Sequence, residues 1–394
     1  MLGLRVTPHP DVLEHGVRWY RAKATPSAAT DHKRHAARRA RMGVEPMNRT
    51  TTGTAAGADT EATPSRAPER TMKAIVRDRY GSADVLSLSD VELPEVGQDE
   101  VLVRVRAAGL DRGAWHVMAG LPYLIRTAGY GLRRPKAAGL GSELAGVVEA
   151  VGSNVTQLRP GDAVFGTCGA SFAEYASARP DKLGRMPANL SFEQAAAVPV
   201  SAVTALQALR DRGRVQPGQR VLVIGASGGV GTFAVQIAMA LGAHVTGVSS
   251  TKKLDLVRSL GADRVIDYTH ADITDDGQRY ELVLDIGGNR PLSQLRRVLT
   301  GDGTLVIVGG EGGGRWTGGI HRQLGAMVVS LFVRQRLGTF IAKPNSTDLD
   351  ALRALIEAGS VTPAIDRVIP LDQVPDAIRD LTGGHVQGKI IIAT

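Results

Sequence analysis

A glycine-rich turn between a buried strand and a helix gives the clearest chemical signal in the sequence. The apolar run Val221–Ile224 leads into Gly225-Ala-Ser-Gly-Gly-Val-Gly231, and the helix-like run Thr232–Leu241 follows. Such a turn gathers free backbone N–H groups and the positive end of a helix, which together bind a pyrophosphate. The spacing Gly-x-x-Gly-x-x-Gly is one residue longer than the common dinucleotide pattern, so a glycine turn without a ligand is the alternative. The residues expected to hold the phosphates are Ser227, Gly228, Gly229, Val230 and Gly231.

The end of the next strand bears on which dinucleotide would bind. Proteins that use NAD normally place an Asp or Glu roughly 20 residues after the glycines, where it accepts from the ribose 2′-hydroxyl. The stretch His244–Lys253 contains no acidic residue and ends in Ser249-Ser-Thr-Lys-Lys253, of which Ser249, Ser250, Lys252 and Lys253 are the candidate contacts. Hydroxyl and ammonium groups suit a 2′-phosphate, which a carboxylate would repel. The sequence therefore predicts NADPH as the cofactor.

The elements around this turn predict an α/β fold. Strand-like and helix-like segments alternate from Val221 to Val308, which is typical of βαβ units in a doubly wound parallel sheet. Before them, short strands such as Val101–Arg106 are separated by Gly and Pro turns, which indicates a β-rich first domain from 72 to about 185. Between the two regions, Ser191-Phe-Glu-Gln194 is a capping-box pattern and predicts the start of a helix.

Composition and charge exclude several classes of protein. The chain has 394 residues, of which 43% are hydrophobic and 22% charged, as in folded globular proteins. Of the net charge of +8, the first 71 residues carry +5, so we expect a disordered basic extension there and no nucleic-acid partner for the body. The run Val221–Thr251 has no charged residue, but its six glycines fit a buried β–turn–α–β unit better than a membrane span. The single cysteine, Cys168, excludes an intrachain disulfide.

Longer motifs give a resemblance to a known family. Besides the glycine turn, these motifs are Leu140–Gly152, Arg159–Gly166, Leu260–Tyr268 and Gly388–Ile392. Together they resemble the medium-chain dehydrogenase/reductase family, in its zinc-independent, quinone oxidoreductase-like (ζ-crystallin-like) branch, over residues 72–394. The resemblance implies a GroES-like catalytic domain made of 72–196 and 338–394, a Rossmann NADP-binding domain of 197–337, and a substrate bound in the cleft between them.

The resemblance also implies assembly and further cofactor contacts. Relatives are commonly homodimers joined through an edge strand of the nucleotide domain, and Ala326–Val333 is the matching apolar run here. Tyr268 and Gly309 are expected to add cofactor contacts. We expect a cytoplasmic protein without a membrane span.

Two positions argue against the family's zinc site. Zinc-dependent relatives carry a Cys where this sequence has Asp111 and a His where it has Ser142, while Glu143 keeps its place. One carboxylate does not make a catalytic zinc site, which normally needs three protein ligands. The clustered structural cysteines of those relatives are missing as well. We therefore expect no bound metal.

Without a metal, the acceptor of the hydride must already be electrophilic, as a quinone or an α,β-unsaturated carbonyl is. The segment Gly109–Tyr123 corresponds to the substrate-side loop of the relatives. Within it, Tyr123 is the candidate proton donor, and Asp111 is either a proton donor or a cap of the loop. Thr204 matches a position near the nicotinamide in relatives.

The sequence thus predicts an NADPH-dependent enzyme that transfers hydride to a quinone or an α,β-unsaturated carbonyl without zinc. A 2-enoyl-thioester reductase is the alternative within enzymes, and a non-catalytic NADPH-binding protein is the alternative outside them. Between Asp111 and Glu143 the sequence has five basic residues and no acid. This segment is either a solvated loop or a guide for an anionic substrate.

Overall fold

The computed structural model describes residues 71–275, 277–288, 290–309 and 314–394. The expected disordered extension lies outside these residues, except that Thr71 belongs to the first strand. That strand starts one residue before the predicted Met72, because Thr71 already pairs with Glu92.

The β-rich part contains a two-stranded sheet, β1–β2, and a seven-stranded sheet in the order β14-β15-β3-β4-β5-β7, with β6 paired to β3. The strands are β1 (Thr71–Val76), β2 (Ser87–Glu92), β3 (Val101–Leu110), β4 (Glu143–Val151), β5 (Ala163–Thr167), β6 (Tyr175–Ala178), β7 (Leu183–Arg185), β14 (Ile365–Pro370) and β15 (Lys389–Ala393). The C-terminal strands thus complete a sheet that the N-terminal strands begin. This supports the predicted return of the chain to its first domain.

The register of this sheet brings three residues that are distant in the sequence to the same end of three neighbouring strands. Gly109 of β3 lies opposite Glu143 of β4, and Leu110 lies opposite Ile390 of β15. Because β3 ends where β4 and β15 begin, Asp111, Glu143 and Lys389 meet at the same end of the sheet.

The second part is a six-stranded sheet in the order β10-β9-β8-β11-β12-β13, with every neighbouring pair parallel. Its strands are β8 (Arg220–Ile224), β9 (His244–Ser249), β10 (Arg264–Asp267), β11 (Tyr280–Asp285), β12 (Leu299–Ile307) and β13 (Arg336–Thr339). The chain runs outward from β8 through β9 to β10 and then continues on the other side of β8. The order therefore reverses beside β8, and ligands of such sheets bind at the carboxyl ends of the strands at this reversal.

The helices cover these sheets and close the connections. They are α1 (Arg112–Ala119), α2 (Phe192–Ala196), α3 (Ser201–Gln207), α4 (Gly229–Ala240), α5 (Leu254–Ser259), α6 (Leu292–Arg297), α7 (Ile320–Ser330), α8 (Ser346–Glu357) and α9 (Val374–Thr382). One core cluster contains Phe165 and Ile391 of the first sheet together with Val221 and Phe233 of the second part. Among the described residues, no helix is long and apolar enough to cross a membrane.

Two local predictions have different outcomes. The capping box is confirmed, because Ser191 accepts from the backbone N–H of Gln194 and the Gln194 side chain accepts from that of Ser191. The run Ala326–Val333, matched to an edge strand, is wrong as a strand: it continues α7 to Ser330 and then turns. The edge strand is β13 instead, and the apolar residues of the run follow helical spacing with Ala326 buried beneath them.

Candidate active site

The glycine turn lies at the carboxyl end of β8, at the reversal of the sheet. Gly225 has a φ of +87°, which L side chains rarely adopt. A methyl group added at Gly231 would collide with the carbonyl oxygen of Gly225. The turn and the first helical residues therefore pack as closely as the spacing predicts.

Helix α4 begins directly after Gly228, whose backbone is extended. A methyl group added at Gly228 would meet only the Gly225 carbonyl oxygen, at 3.6 Å, among the described residues. The space in front of the helix start is therefore open, and the first amides of a helix have no partners within it. A dinucleotide pyrophosphate fits this open N-terminal cradle.

The serines of the two strand ends are joined. The Ser249 hydroxyl donates to the Ser227 hydroxyl at 2.8 Å, and both side chains are buried. The bond ties the glycine turn to the end of β9, where a ribose would follow the pyrophosphate.

The two lysines after β9 differ in their surroundings. The Lys253 ammonium donates to the carbonyl oxygens of Gly384 and Val386 at 2.7 and 2.8 Å, and burial lowers its pKa. Lys252 is exposed, and Ser250 precedes the helical turn that carries both lysines. Lys253 therefore fastens this turn to the C-terminal segment, and Lys252 is the lysine that faces solvent.

An acidic residue that sequence reasoning missed lies one strand away. Asp267, at the end of β10, is paired in register with Ser249. Its carboxylate accepts from the hydroxyls of Thr251 at 2.5 Å and Thr269 at 2.6 Å, and these bonds hold its pKa well below the usual range. The adjacent Tyr268 is exposed. A search confined to β9 could not find this carboxylate, because β10 begins fifteen residues later.

The carboxyl ends of β11 and β12 continue the site beyond the glycine turn. A methyl group added at Gly309 would collide with the carbonyl oxygen of Ile286. Asp285 is fully buried, accepts from the backbone N–H of Gly288 at 3.1 Å and forms an ion pair with Arg322 of α7. These two strand ends therefore approach each other without a side chain between them.

On the first domain, Asp111 is engaged by two bonds. It caps α1 by accepting from the backbone N–H of Ala114 at 2.9 Å, and the Ser142 hydroxyl donates to its other oxygen at 2.8 Å. Of the two roles predicted for Asp111, the geometry gives it capping. The residues at the two positions of the relatives' zinc ligands thus bond to each other.

Glu143 forms a buried ion pair with Lys389, and sequence reasoning did not connect them. Neither side chain has more than 2% exposure, and Glu143 also accepts from the backbone N–H groups of Val200 at 2.8 Å and Ser201 at 3.2 Å. Burial raises the pKa of Glu143 to about 7, and the Lys389 ammonium opposes the rise. The Lys389 side chain passes 3.0 Å from where a methyl group at Gly229 would lie, so the pair lies directly behind the glycine turn.

These residues do not fit a metal ion. Across the described ranges, no group of three or more His, Cys, Asp or Glu residues could hold one. The single thiol of the described residues, Cys168, has its pKa raised to about 12 by burial.

Tyr123 lies where the two parts of the molecule touch. Its backbone N–H donates to the carbonyl of Arg315 at 2.8 Å, and its ring packs edge-on against Trp316 with centroids 5.1 Å apart. The guanidinium of Arg126 lies 4.7 Å from the centre of the same ring. Tyr123 is therefore held against both domains.

Thr204 is nearly buried in α3, and its hydroxyl donates to the carbonyl of Val200 at 2.6 Å. Since this bond uses its proton, the oxygen of Thr204 can only accept from a ligand. The same helix begins at the residues that bond Glu143. Thr204 and the ion pair are thus positioned by one element.

Two family models match the chain. Residues 97–208 match "Alcohol dehydrogenase GroES-like domain", and residues 260–392 match "Zinc-binding dehydrogenase". The first match covers much of the β-rich part. The second covers strands β10 to β13 of the parallel sheet and the C-terminal strands β14 and β15.

Named relatives match over most of their length. The chain is 32% identical to the 2-methylene-furan-3-one reductase of Solanum lycopersicum, covering 89% of this chain and 85% of that protein. It is also 32% identical to the chloroplastic NADPH-dependent alkenal/one oxidoreductase of Arabidopsis thaliana, covering 82% and 79%. Among solved structures, the quinone oxidoreductase from Coxiella burnetii has a TM-score of 0.74 at 28% identity and covers 82% of this chain and all of that one.

Proposed function

The chain belongs to the medium-chain dehydrogenase/reductase family, in its quinone oxidoreductase-like branch, and we propose that it reduces a quinone or an α,β-unsaturated carbonyl with NADPH and without zinc. The observation that carries the proposal is the pairing of an open glycine cradle with a first domain that has no metal-ligand cluster among its described residues. Such a site favours hydride transfer to an acceptor that needs no Lewis acid.

The preference for NADPH rests on the end of β9. Ser250 and the exposed Lys252 offer a hydroxyl and a cation, and the fixed Lys253 adds positive charge nearby. The Asp267 carboxylate on the next strand is ionised and would repel a 2′-phosphate placed beside it, so the cations of this strand end must outweigh that charge. The name of the Arabidopsis relative also specifies NADPH.

The contacts to the cofactor follow from the cradle. The turn from Ser227 to Gly231 would hold the pyrophosphate, and the strand ends at Ser249, Tyr268 and Gly309 would surround the rest of the cofactor. When bound, the nicotinamide supplies the hydride. The oxygen of Thr204 can accept from the amide of that ring, because its proton is given to Val200.

The proton or hydrogen bond for the developing enolate or phenolate is assigned to Tyr123. Its ring packs against Trp316 and Arg126, which orients the phenol, and a phenol hydroxyl can donate to a developing oxyanion. Asp111 acts by position: it caps α1 and holds Ser142.

The absence of zinc is proposed against the name of one matching family model, "Zinc-binding dehydrogenase". Ser142 donates to Asp111 and Lys389 pairs with Glu143, so each side chain at the three positions of the relatives' zinc site already has a partner in the protein. A stoichiometric zinc content in chelator-washed protein would contradict this part of the proposal.

Membership of the family also leads us to propose an oligomeric state, a cellular location and domain boundaries. The face of α7 that bears Leu324, Met327 and Val328, followed by Leu331 and Phe332, is exposed beside the edge strand β13. A second copy would cover it, giving a homodimer. We also propose domain limits of 72–196 with 338–394 and 197–337, and a cytoplasmic location.

The test is oxidation of NADPH and NADH against a panel of a quinone, an enone and an enoyl-thioester, with small-molecule products identified. We expect turnover of the quinone or enone. Exclusive turnover of the thioester would favour the 2-enoyl-thioester reductase. NADPH binding without turnover of any of them would favour a non-catalytic protein.

The cofactor preference is tested with Lys252→Ala. The matched control is Lys73→Ala, because Lys73 belongs to an exposed ion pair on β1 of the first domain. Lys252→Ala should raise the KM for NADPH about tenfold and leave the KM for NADH unchanged, since one exposed charge contact is lost. The same NADPH/NADH ratio in both variants and the unaltered protein would refute the assignment.

A further inference from the structure

A buried arginine directly after β1, Arg77, has no counter-charge among the residues that the structure describes. Arg77 is only 5% exposed, and its Nε and Nη1 atoms are buried without a hydrogen-bond partner among the described residues. Burial lowers the pKa of its guanidinium, and the nearby Tyr80 phenol acts in the opposite direction. Buried charges are normally paired or hydrogen-bonded, because leaving them unpaired costs several kcal/mol. An orphaned guanidinium of this kind points to a group that the protein chain does not supply.

The surroundings of Arg77 connect it to the substrate side. The Tyr80 hydroxyl donates to the carbonyls of Tyr130 and Gly131 at 2.8 and 2.7 Å, and the backbone N–H of Arg77 donates to Ala138 at 3.0 Å. The segment 130–138 is therefore fastened to the end of β1 at both of its ends.

A second arginine continues this connection toward the candidate proton donor. The Arg126 guanidinium lies 4.4 Å from the ring centre of Tyr80 and 4.7 Å from that of Tyr123. Arg126 thus connects Tyr80 to Tyr123, and Tyr80 is close enough to Arg77 to act on its charge.

The segment 126–138, which includes the part fastened to the residues after β1, has only basic residues among its charged side chains. Its basic residues are Arg126, Arg133, Arg134 and Lys136, and no acidic residue occurs between Asp111 and Glu143. Arg133, Arg134 and Lys136 are exposed, so the potential at this face is positive. The segment therefore adds to the unpaired charge of Arg77 instead of compensating it.

We propose that Arg77 is the centre of an anion-binding subsite that takes a carboxylate or phosphate group. Guanidinium groups bind these anions strongly, and the neighbouring basic residues raise their local concentration. Where the anion is carried by the substrate, which rests on the proposed reductase function, the subsite selects enones or quinones that bear an acidic group away from the reacting double bond.

The subsite is tested first by binding, without turnover. The full chain, Arg77→Gln and Arg79→Gln are melted in rising sodium phosphate or sodium acetate at constant ionic strength. Arg79 is the matched control, since it is a neighbouring arginine on the surface with 67% side-chain exposure. A ligand that binds only the folded state raises the melting temperature.

We expect saturable stabilisation by at least one anion in the unaltered chain and in Arg79→Gln, and an apparent Kd at least tenfold weaker in Arg77→Gln. Equal stabilisation of all three proteins would mean adventitious surface binding and would overturn the subsite. If Arg77→Gln does not fold, Arg77→Lys and calorimetric titration of the unaltered chain replace it. The absence of saturable heat with either anion would then overturn the proposal.

A kinetic arm distinguishes a substrate group from a free anion. The probes are 6-oxo-4-heptenoate and its methyl ester, which differ in one negative charge that two methylene groups separate from the reacting double bond. We expect the acid to have at least a tenfold lower KM in the unaltered chain and Arg77→Gln to abolish the difference. Equal KM values together with Arg77-dependent binding would support the anion site and refute its assignment to the substrate. No turnover of either probe with Arg77-dependent binding intact would count against the reductase function alone.

Discussion

The buried ion pair behind the glycine turn gives a prediction that can be worked through in numbers. Glu143 and Lys389 are at most 2% exposed, and the pKa of Glu143 is raised to about 7 even with the ammonium beside it. Lys389→Met removes the cation and leaves the carboxyl buried. The pKa of Glu143 should then rise further, because the ammonium that lowered it is gone, while burial and the neighbouring Asp111 still raise it and only backbone hydrogen bonds such as that from Val200 oppose them.

The consequence for stability depends on pH, and its sign follows from proton binding. A group whose pKa is higher in the folded than in the unfolded state binds more protons when folded, so stability falls as the pH rises from the unfolded toward the folded value. In the unaltered chain this loss through Glu143 ends near pH 7. In Lys389→Met it continues above pH 7, at about 1.4 kcal/mol per pH unit.

Between pH 7 and 8.5 the deficit of Lys389→Met should therefore grow by about 2 kcal/mol, on top of a cost at pH 7 that is smaller than the roughly 3–5 kcal/mol for an uncompensated buried charge. The assay is urea unfolding at both pH values. Lys73→Met is the control, because it breaks an exposed pair with Asp90 at 49% and 60% side-chain exposure and should cost under about 1 kcal/mol at either pH. A deficit of Lys389→Met that is identical at pH 7 and 8.5 would refute the reasoning.

Variants at three further residues test the site. Tyr123→Phe should lower kcat by about 10²-fold with little change in the KM for NADPH, if the hydroxyl supplies the proton or hydrogen bond; an unchanged kcat in steady-state assays would assign Tyr123 to packing alone. Asp111→Ala should lower the free energy of unfolding by about 1–2 kcal/mol through the lost cap and the lost Ser142 bond. Asp111→Asn keeps one carbonyl oxygen to accept from Ala114, and its amide N–H can donate to the Ser142 hydroxyl, so it should retain most of the stability and the kcat. A stable Asp111→Asn with strongly reduced kcat would instead indicate proton transfer by Asp111. Lys253→Ala should lower the melting temperature, because it removes two bonds to backbone carbonyls, and should change cofactor preference less than Lys252→Ala does; the reverse ranking would contradict the division of roles.

Local patterns predicted the parts of the fold that depend on neighbouring residues. The glycine spacing, the strand before it and the helix after it lie within 21 residues, and backbone sterics alone require glycine at Gly225 and Gly231. The capping box at Ser191 is likewise a property of four consecutive residues. The resemblance supplied the two-part α/β architecture, which the family models and the two sheets confirm.

The contacts that sequence reasoning missed join residues far apart in the chain. Glu143 and Lys389 are 246 positions apart and meet only because β15 pairs with β3. Lys253 was expected to face a phosphate, yet two carbonyls of the C-terminal segment hold it. Arg77 gave no signal at all, since its missing partner is a property of tertiary burial and not of spacing.

The segment Ala326–Val333 shows a different limit. Its apolar, partly β-branched composition fits an edge strand, but its residues continue the helical spacing of α7 from Ile320. The resemblance placed the segment at a subunit interface, which stays a prediction, whereas its secondary structure continues that of the residues before it.

The central claim is that this chain reduces an activated double bond with NADPH and no metal. The most direct measurement is the initial rate of cofactor oxidation by chelator-treated full-length protein, with a quinone and an enone as acceptors and NADPH and NADH compared at equal concentration. The account predicts turnover with NADPH that exceeds turnover with NADH and that added zinc does not increase. Activity that appears only on adding zinc, or equal rates with both cofactors, would contradict it.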